Sequence, residues 1–518
     1  MRKSFRYDDV PVLETTSGKL KGCFYDGTYI FKGVPYAYAD RFQMPVPSEW
    51  TGVKDATSYG YVCPLMTQDK PTAELLVPHR YWPMDEHCQN LNIWTTALDG
   101  EAKKPVIVWF HGGGYAAGSS IEQVAYDGRN MCVEGDAVVV SVNHRLNILG
   151  YLDLSPFGQK YENSGNAGHA DMVAALQWIH NNIALFGGDP ENVTIFGQSG
   201  GGMKVADLMQ IPAADGLFHK GLIMSGVSDA TMMPSCQGNG EKIVGAMLAE
   251  LGLTDADVEA LETLPYPELV RVYTKVMPGV AGTGAYVGGM PQVNDWFLGN
   301  PLQYGMRSHG YEIPLMIGSV FGEFAFALPT FDKTALTEAE TTRMVETVYG
   351  EHTQVALAAF AKAYPGKHPA DLLILDRIMR QPSKKLAAMH AGGQKAGTYL
   401  YNFTLEFPLL HKIAWHCSDI PFFFHNTDKV EVCSIPGVTE RLETQIFGAF
   451  LNFARTGVPS QESLPVWPTV TQQEEPTMIF DTECQVRRNY DDELLMLIDS
   501  CLPAVNLMDM METQDMQH

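Results

Sequence analysis

Residues 186–201 read FGGDPENVTIFGQSGG, a short β-branched run, Val193 to Phe196, that ends in Gly197-Gln198-Ser199-Gly200-Gly201. A helix-compatible stretch follows from Gly202 and Met203. Glycines on both sides of a serine suit a sharp strand-to-helix turn, because neighbouring Cβ atoms would clash there. Such a turn presents the serine hydroxyl at a helix N-terminus, where backbone N–H groups favour a developing anion. The five-residue pattern alone also fits an ordinary glycine-rich loop with an incidental serine.

Apolar β-rich runs recur at Val106 to Phe110, Ala137 to Val142, Val193 to Phe196, Gly221 to Met224, Leu315 to Ile317 and Thr398 to Phe403, with helical stretches between them. That alternation predicts an α/β fold with a mostly parallel sheet covered by helices. Met172, Leu176, Ile179, Ile183 and Phe186 step by four and three, which places them on one helix face packed on the sheet. Thr439 to Thr456 reads as a helix stopped by Gly457, with Pro459 beyond. The tail from Asn506 to His518 has few anchors and is expected to fray.

Composition narrows the class. At 45% hydrophobic and 19% charged, the chain has ample material for a core and is not a disordered polymer. Sixty acidic against 36 basic side chains give −24, which repels phosphate backbones and anionic lipid and argues against nucleic acid as a partner. No stretch has transmembrane length, and Met1 to Asp9 lacks the apolar run of a secretory signal, so a cytoplasmic protein is expected. Nine scattered cysteines without a CxxC pair suit neither a zinc site nor a dense disulfide framework. No metal or organic cofactor is called for.

The wording around the serine turn closely resembles the type B carboxylesterase and cholinesterase family, most of all its bacterial members. The resemblance extends through FKGVPYA, ADRF, EHCQNLNIW, VVVSVNHRLNILGYL, NAGHADMVAALQWIHNNIALFGG, WHCSDIPFFF and FARTGVP, about Val12 to Phe480. It implies one α/β-hydrolase domain over 1–518, with cap and gorge insertions, and hydrolysis of small neutral or aromatic carboxylic esters with water as acyl acceptor. It further implies Ser199 as nucleophile, His416 of WHCSDIPFFF as base and Glu323, five residues beyond Gly318, as the acid that orients it. Glu312 and Asp332 are the alternative acids. Gly113 and Gly114 of the His111-Gly-Gly-Gly-Tyr115 loop, with Gly200, are implied as oxyanion donors.

The sequence departs from the family frame at several places. Cys417 stands where glycine is usual, Trp415 precedes the histidine, and Gly322 replaces an acidic residue. Gln198 stands where cholinesterases carry glutamate, and the loop from Leu65 to His87 lacks their ammonium-stacking tryptophan, so a choline site is not supported. Tyr115, Gln198, Phe321, Phe324, Trp415 and Cys417 are candidate pocket residues. By resemblance, Ser225 supports the acid, Arg41 with Glu86 and Arg145 with Asp171 are structural ion pairs, and Cys63 with Cys88 match a widely shared disulfide. The glycosylation triplets at Asn192 and Asn402 fall in expected strands and read as accidental. A catalytically silent binding relative, or a transacylase, lactonase or amidase using the same residues, stays open at this stage, and oligomeric state is not legible.

Overall fold

The computed structural model describes residues 4–66, 79–229, 238–325, 331–408 and 412–505. The expected fraying tail and Cys236 lie outside the described residues. The chain divides into two compact units, Met1–Leu222 with Ser235–Gly310, and Ile223–Pro234 with Tyr311–His518.

The first unit is built on strands β1 (Thr28–Pro35), β2 (Asn90–Thr95), β3 (Lys104–Phe110), β4 (Val138–Val142) and β5 (Gly188–Gln198). Strand β3 pairs parallel with β4 in the register Val106↔Val138 and with β5 in the register Val106↔Val193. Strands β4, β2 and β1 continue the sheet as antiparallel neighbours. The VIVWF and VVVSV runs are buried throughout, as strands covered on both faces must be, and this is why they read as unbroken apolar runs. Helix α1 (Ala167–Asn182) and the 3₁₀ turn Ile183–Phe186 carry the anticipated face: Met172, Leu176, Ile179, Ile183 and Phe186 are fully buried. Helix α2 (Gly200–Leu208) follows β5 with only Ser199 between them. Later in this unit, α3 (Glu241–Glu250) and α4 (Tyr266–Ala281) pack their apolar faces into a cluster with Leu146, Leu149, Cys63 and Cys88.

In the second unit, β6 (Leu315–Val320), β7 (Thr398–Phe403) and β8 (Pro476–Phe480) run parallel, Ile317 opposite Leu400 and Leu400 opposite Thr477. The antiparallel strand β9 (Gln485–Arg488) borders β8. The helix Thr439–Thr456 ends on Gly457, whose φ of +81° and N–H to the Phe453 carbonyl make the left-handed stop expected from the sequence. Among the described residues, no helix is long and apolar enough to cross a membrane.

Candidate active site

In the first unit the end of β5 turns directly into α2, and the residue at the corner is Ser199, with φ +58° and ψ −127°. A non-glycine residue in this region is strained, and such strain persists only where the surroundings over-determine it. The surroundings are backbone. A Cβ on Gly201 would lie 2.1 Å from the Phe110 carbonyl oxygen, and one on Gly200 would lie 2.3–2.4 Å from the backbone of Gly114. The glycine loop that ends β3 therefore lies directly against the head of α2. Within that loop Gly113 and Gly114 take φ of +84° and +61°. Ser199, Gly200, Gly113 and Gly114 are brought together, with Gln198 buried beside them.

In the second unit, Glu323 is fully buried three residues past the end of β6. One carboxylate oxygen accepts the Val320 N–H at 2.8 Å, and the other accepts His416 Nδ1–H at 2.6 Å. The His416 backbone N–H also donates to the Glu323 carbonyl at 2.6 Å. These contacts fix the tautomer that leaves Nε2 as a proton acceptor. Phe324 stacks on the imidazole with ring centres 4.4 Å apart. Of the alternative acids, Glu312 pairs with Lys395 and Asp332 caps its own turn at Thr334.

Among the departures beside these residues, only the one at Gly322 has a local explanation. Cys417 sits at φ +76°, a conformation that favours the glycine usual at that position. At Gly322 a Cβ would fall 2.1 Å from Ile413 Cδ1 and 2.8 Å from the Ala414 carbonyl, so no acidic side chain fits.

The candidate wall residues divide. The Tyr115 hydroxyl donates to Asp207 at 2.6 Å, and burial together with that carboxylate pushes its ionisation well up. Phe321 packs edge-on against Tyr364 and Trp415 against Phe407, both nearly without exposure. Ser225 is buried at φ +44°, and its amide donates to the Gly318 carbonyl at 2.7 Å. Its hydroxyl has no hydrogen-bond partner among the described residues.

The implied disulfide takes another form. Cys63 and Cys88 are buried free thiols, hydrogen-bonded to each other, and Cys63 Sγ also accepts the Leu146 N–H at 3.2 Å. Burial pushes the Cys88 thiol well up, which keeps it protonated and unreactive. Arg41 pairs with Glu86, and the fully buried Arg145 pairs with Asp171 at 2.8 Å, as scaffold. Asn402 is buried, donating to the Tyr490 hydroxyl at 2.8 Å, which suits the reading of its triplet as accidental.

Sequence reading missed two carboxyls around Glu323. Asp376 is pushed up to about 7 by burial and by Glu323, although it accepts the N–H groups of Ile378, Met379 and Arg380. Asp419 is pushed up to about 7 by burial and by Glu323, while a hydrogen bond from the Tyr401 hydroxyl at 2.7 Å opposes the shift. Asp419 lies inside WHCSDIPFFF; Asp376 carries no motif. Glu475, Asp491 and Asp492 form an acidic group of metal-ligand size, but Arg380 and Lys384 already pair with it.

The model of the carboxylesterase family matches residues 9–497. The chain belongs to the carboxylesterase family. Its curated relatives include the para-nitrobenzyl esterase of Bacillus subtilis, 30% identical over 93% of this chain and 97% of that one. The phenmedipham hydrolase of Pseudarthrobacter oxydans is 33% identical over 89% and 92%. Among solved structures, an esterase from Clostridium hathewayi that can hydrolyse aliphatic aromatic polyesters is 52% identical, with a TM-score of 0.94 over 97% of this chain and all of that one. The fold is that of the α/β-hydrolases, and this carboxylesterase is a serine-dependent carboxylic ester hydrolase.

Proposed function

We propose that the enzyme works through an acyl-enzyme formed on Ser199, with His416 as base and Glu323 as its orienting acid. The observation that carries this reading is the 2.6 Å hydrogen bond from His416 Nδ1 to Glu323, which makes Nε2 the proton-accepting nitrogen of the ring. Ser199 Oγ attacks the ester carbonyl as His416 takes its proton, and the imidazolium then protonates the departing alcohol. Water, deprotonated by the same ring, attacks the acyl-enzyme and releases the acid. The amides of Gly113, Gly114 and Gly200 receive the charge of the tetrahedral oxygen, each such donor typically lowering the barrier by about 3 kcal/mol.

The substrates we assign are neutral esters with an aromatic portion. Gln198 beside Ser199 adds no charge to attract a cation, and relatives include an esterase of aliphatic aromatic polyesters and a para-nitrobenzyl esterase. The test is a pre-steady-state burst of p-nitrophenol with one equivalent per active site, absent in Ser199→Ala. Steady-state kcat/KM should be higher for aryl or benzyl esters than for acetylcholine. Equal or better hydrolysis of acetylcholine would refute the substrate assignment, and a burst surviving in Ser199→Ala would refute the nucleophile.

A further inference from the structure

Helix α2 starts directly after Ser199 and carries two buried ionisable residues one turn apart, Lys204 and Asp207. They reach opposite ends of the glycine loop. Lys204 Nζ donates to the His111 carbonyl at 2.9 Å, and Asp207 accepts the Tyr115 hydroxyl at 2.6 Å and His169 Nε2–H at 3.0 Å. Between those two anchors lie only Gly112, Gly113 and Gly114, which have no side chains with which to hold themselves. We infer that Lys204 and Asp207 are positioning residues that clamp both ends of this loop, keeping its amides in register with the nucleophile on the same helix.

Lysine is a costly choice for this position. Its side chain has no exposed surface, and its direct partner is a neutral carbonyl, so an apolar residue would fill the space with less penalty. Burial pulls its ionisation down to about 7, with Glu122 and Asp207 pulling back. Burial and the same lysine hold His111 neutral, and its Nδ1–H donates to the Gly112 carbonyl at 2.9 Å. The Gly112–Gly113 peptide is thereby polarised with its N–H, that of Gly113, made a better donor. Lys204 acts in the same way one peptide earlier, on the His111 carbonyl, so both peptides that lead into the loop are held by donors. Stability does not account for the residue chosen; a donor held rigidly for a charge that develops late in the reaction does.

This inference rests on the reading of Ser199 and the glycine amides given above. Its test uses Lys204→Met, which keeps length and volume, and Tyr115→Phe, which removes only the hydroxyl. For each, kcat and KM on a neutral aryl ester are measured, with the Ki of an aryl trifluoromethyl ketone that adds to a serine and places an oxyanion on the donors. Lys204→Met is expected to keep its melting temperature, hold KM within about twofold, and lose kcat and ketone affinity in parallel by roughly 10- to 100-fold. Tyr115→Phe is expected to lose about 10-fold in both. A Lys204→Met enzyme with kcat and ketone affinity within twofold of the parent overturns the clamp. If that variant does not fold, Tyr115→Phe decides, and unchanged kcat and Ki overturn it. Fluorophosphonate labelling of the parent separates the two layers: no adduct on Ser199 defeats the underlying reading, whereas a normal adduct with unaffected variants defeats the clamp alone.

Discussion

Gly201→Ala adds one methyl group at the tightest contact of the Ser199 turn. The new Cβ would lie 2.1 Å from the Phe110 carbonyl oxygen and 3.0 Å from that of His111, against an ordinary contact of at least 3.4 Å. The shortfall at Phe110 is about 1.3 Å, and the atoms in the way are backbone of β3 and its loop, which no rotamer change can move. Helix α2 must therefore shift from the strand end, taking Ser199 away from Gly113 and Gly114. Overpacking of this kind costs about 1–3 kcal/mol of stability, and a misplacement near 1 Å costs about 100-fold in rate, or about 2.7 kcal/mol at the transition state. The assay is kcat on p-nitrophenyl acetate alongside a thermal melt. Gly245→Ala is the control: it lies within α3 with nothing inside 4 Å of the added Cβ, and should stabilise by about 0.5–1 kcal/mol without touching kcat. A Gly201→Ala enzyme with parental kcat and melting temperature would refute the account of how this turn is held.

Glu323→Gln keeps the size of the side chain and removes its charge, so His416 loses its tautomer control; kcat should fall by about 10²–10⁴ with KM little changed, and a loss under threefold would remove Glu323 from the site. Cys417→Gly relieves a left-handed residue and should remain active while gaining up to about 1 kcal/mol in denaturant unfolding. Asp491, paired with Arg380 and Lys384, is held down at about 2, so its folded value lies below its unfolded one. Its contribution, about 2 kcal/mol, is present above pH 4 and lost as pH falls toward 2; Asp491→Asn should flatten that limb of the stability profile and, by leaving two buried cations uncompensated, lower the melting temperature at pH 7. Asp419, raised to about 7, works the other way: its contribution is complete below about pH 4 and disappears as pH rises through 7, and Asp419→Asn should abolish that decline in a urea-unfolding series from pH 5 to 8.

The strands were legible because parallel strands buried on both faces must be unbroken runs of Val, Ile and Phe. Strand β5 runs longer than its apolar part, Val193 to Phe196, because polar residues from Gly188 onward still form its ladder, with Gly188 opposite Lys104. The Ser199 turn was legible for a steric reason: only glycine fits against Phe110 and Gly114, so the requirement is written in residue type. The same logic accounts for Gly322. Lys204, Asp207 and Asp376 were not legible, since a lysine or aspartate in a helical or loop stretch reads as a solvated residue until the packing shows it buried. Phe321 and Trp415 illustrate the converse: aromatic identity marks a residue as wall or core, and their partners, Tyr364 and Phe407, come from distant parts of the chain.

Everything in this mechanism turns on Ser199 Oγ being the oxygen that becomes acylated. Stoichiometric treatment with a fluorophosphonate, followed by mass spectrometry of the digested protein, reads this directly. One adduct per chain is expected, on the peptide containing Ser199, forming in step with loss of esterase activity. Ser199→Ala should take no adduct there, should melt like the parent, and should lose at least about 10³ in kcat. An adduct on another residue that tracks inactivation, or near-parental turnover by Ser199→Ala, would contradict it.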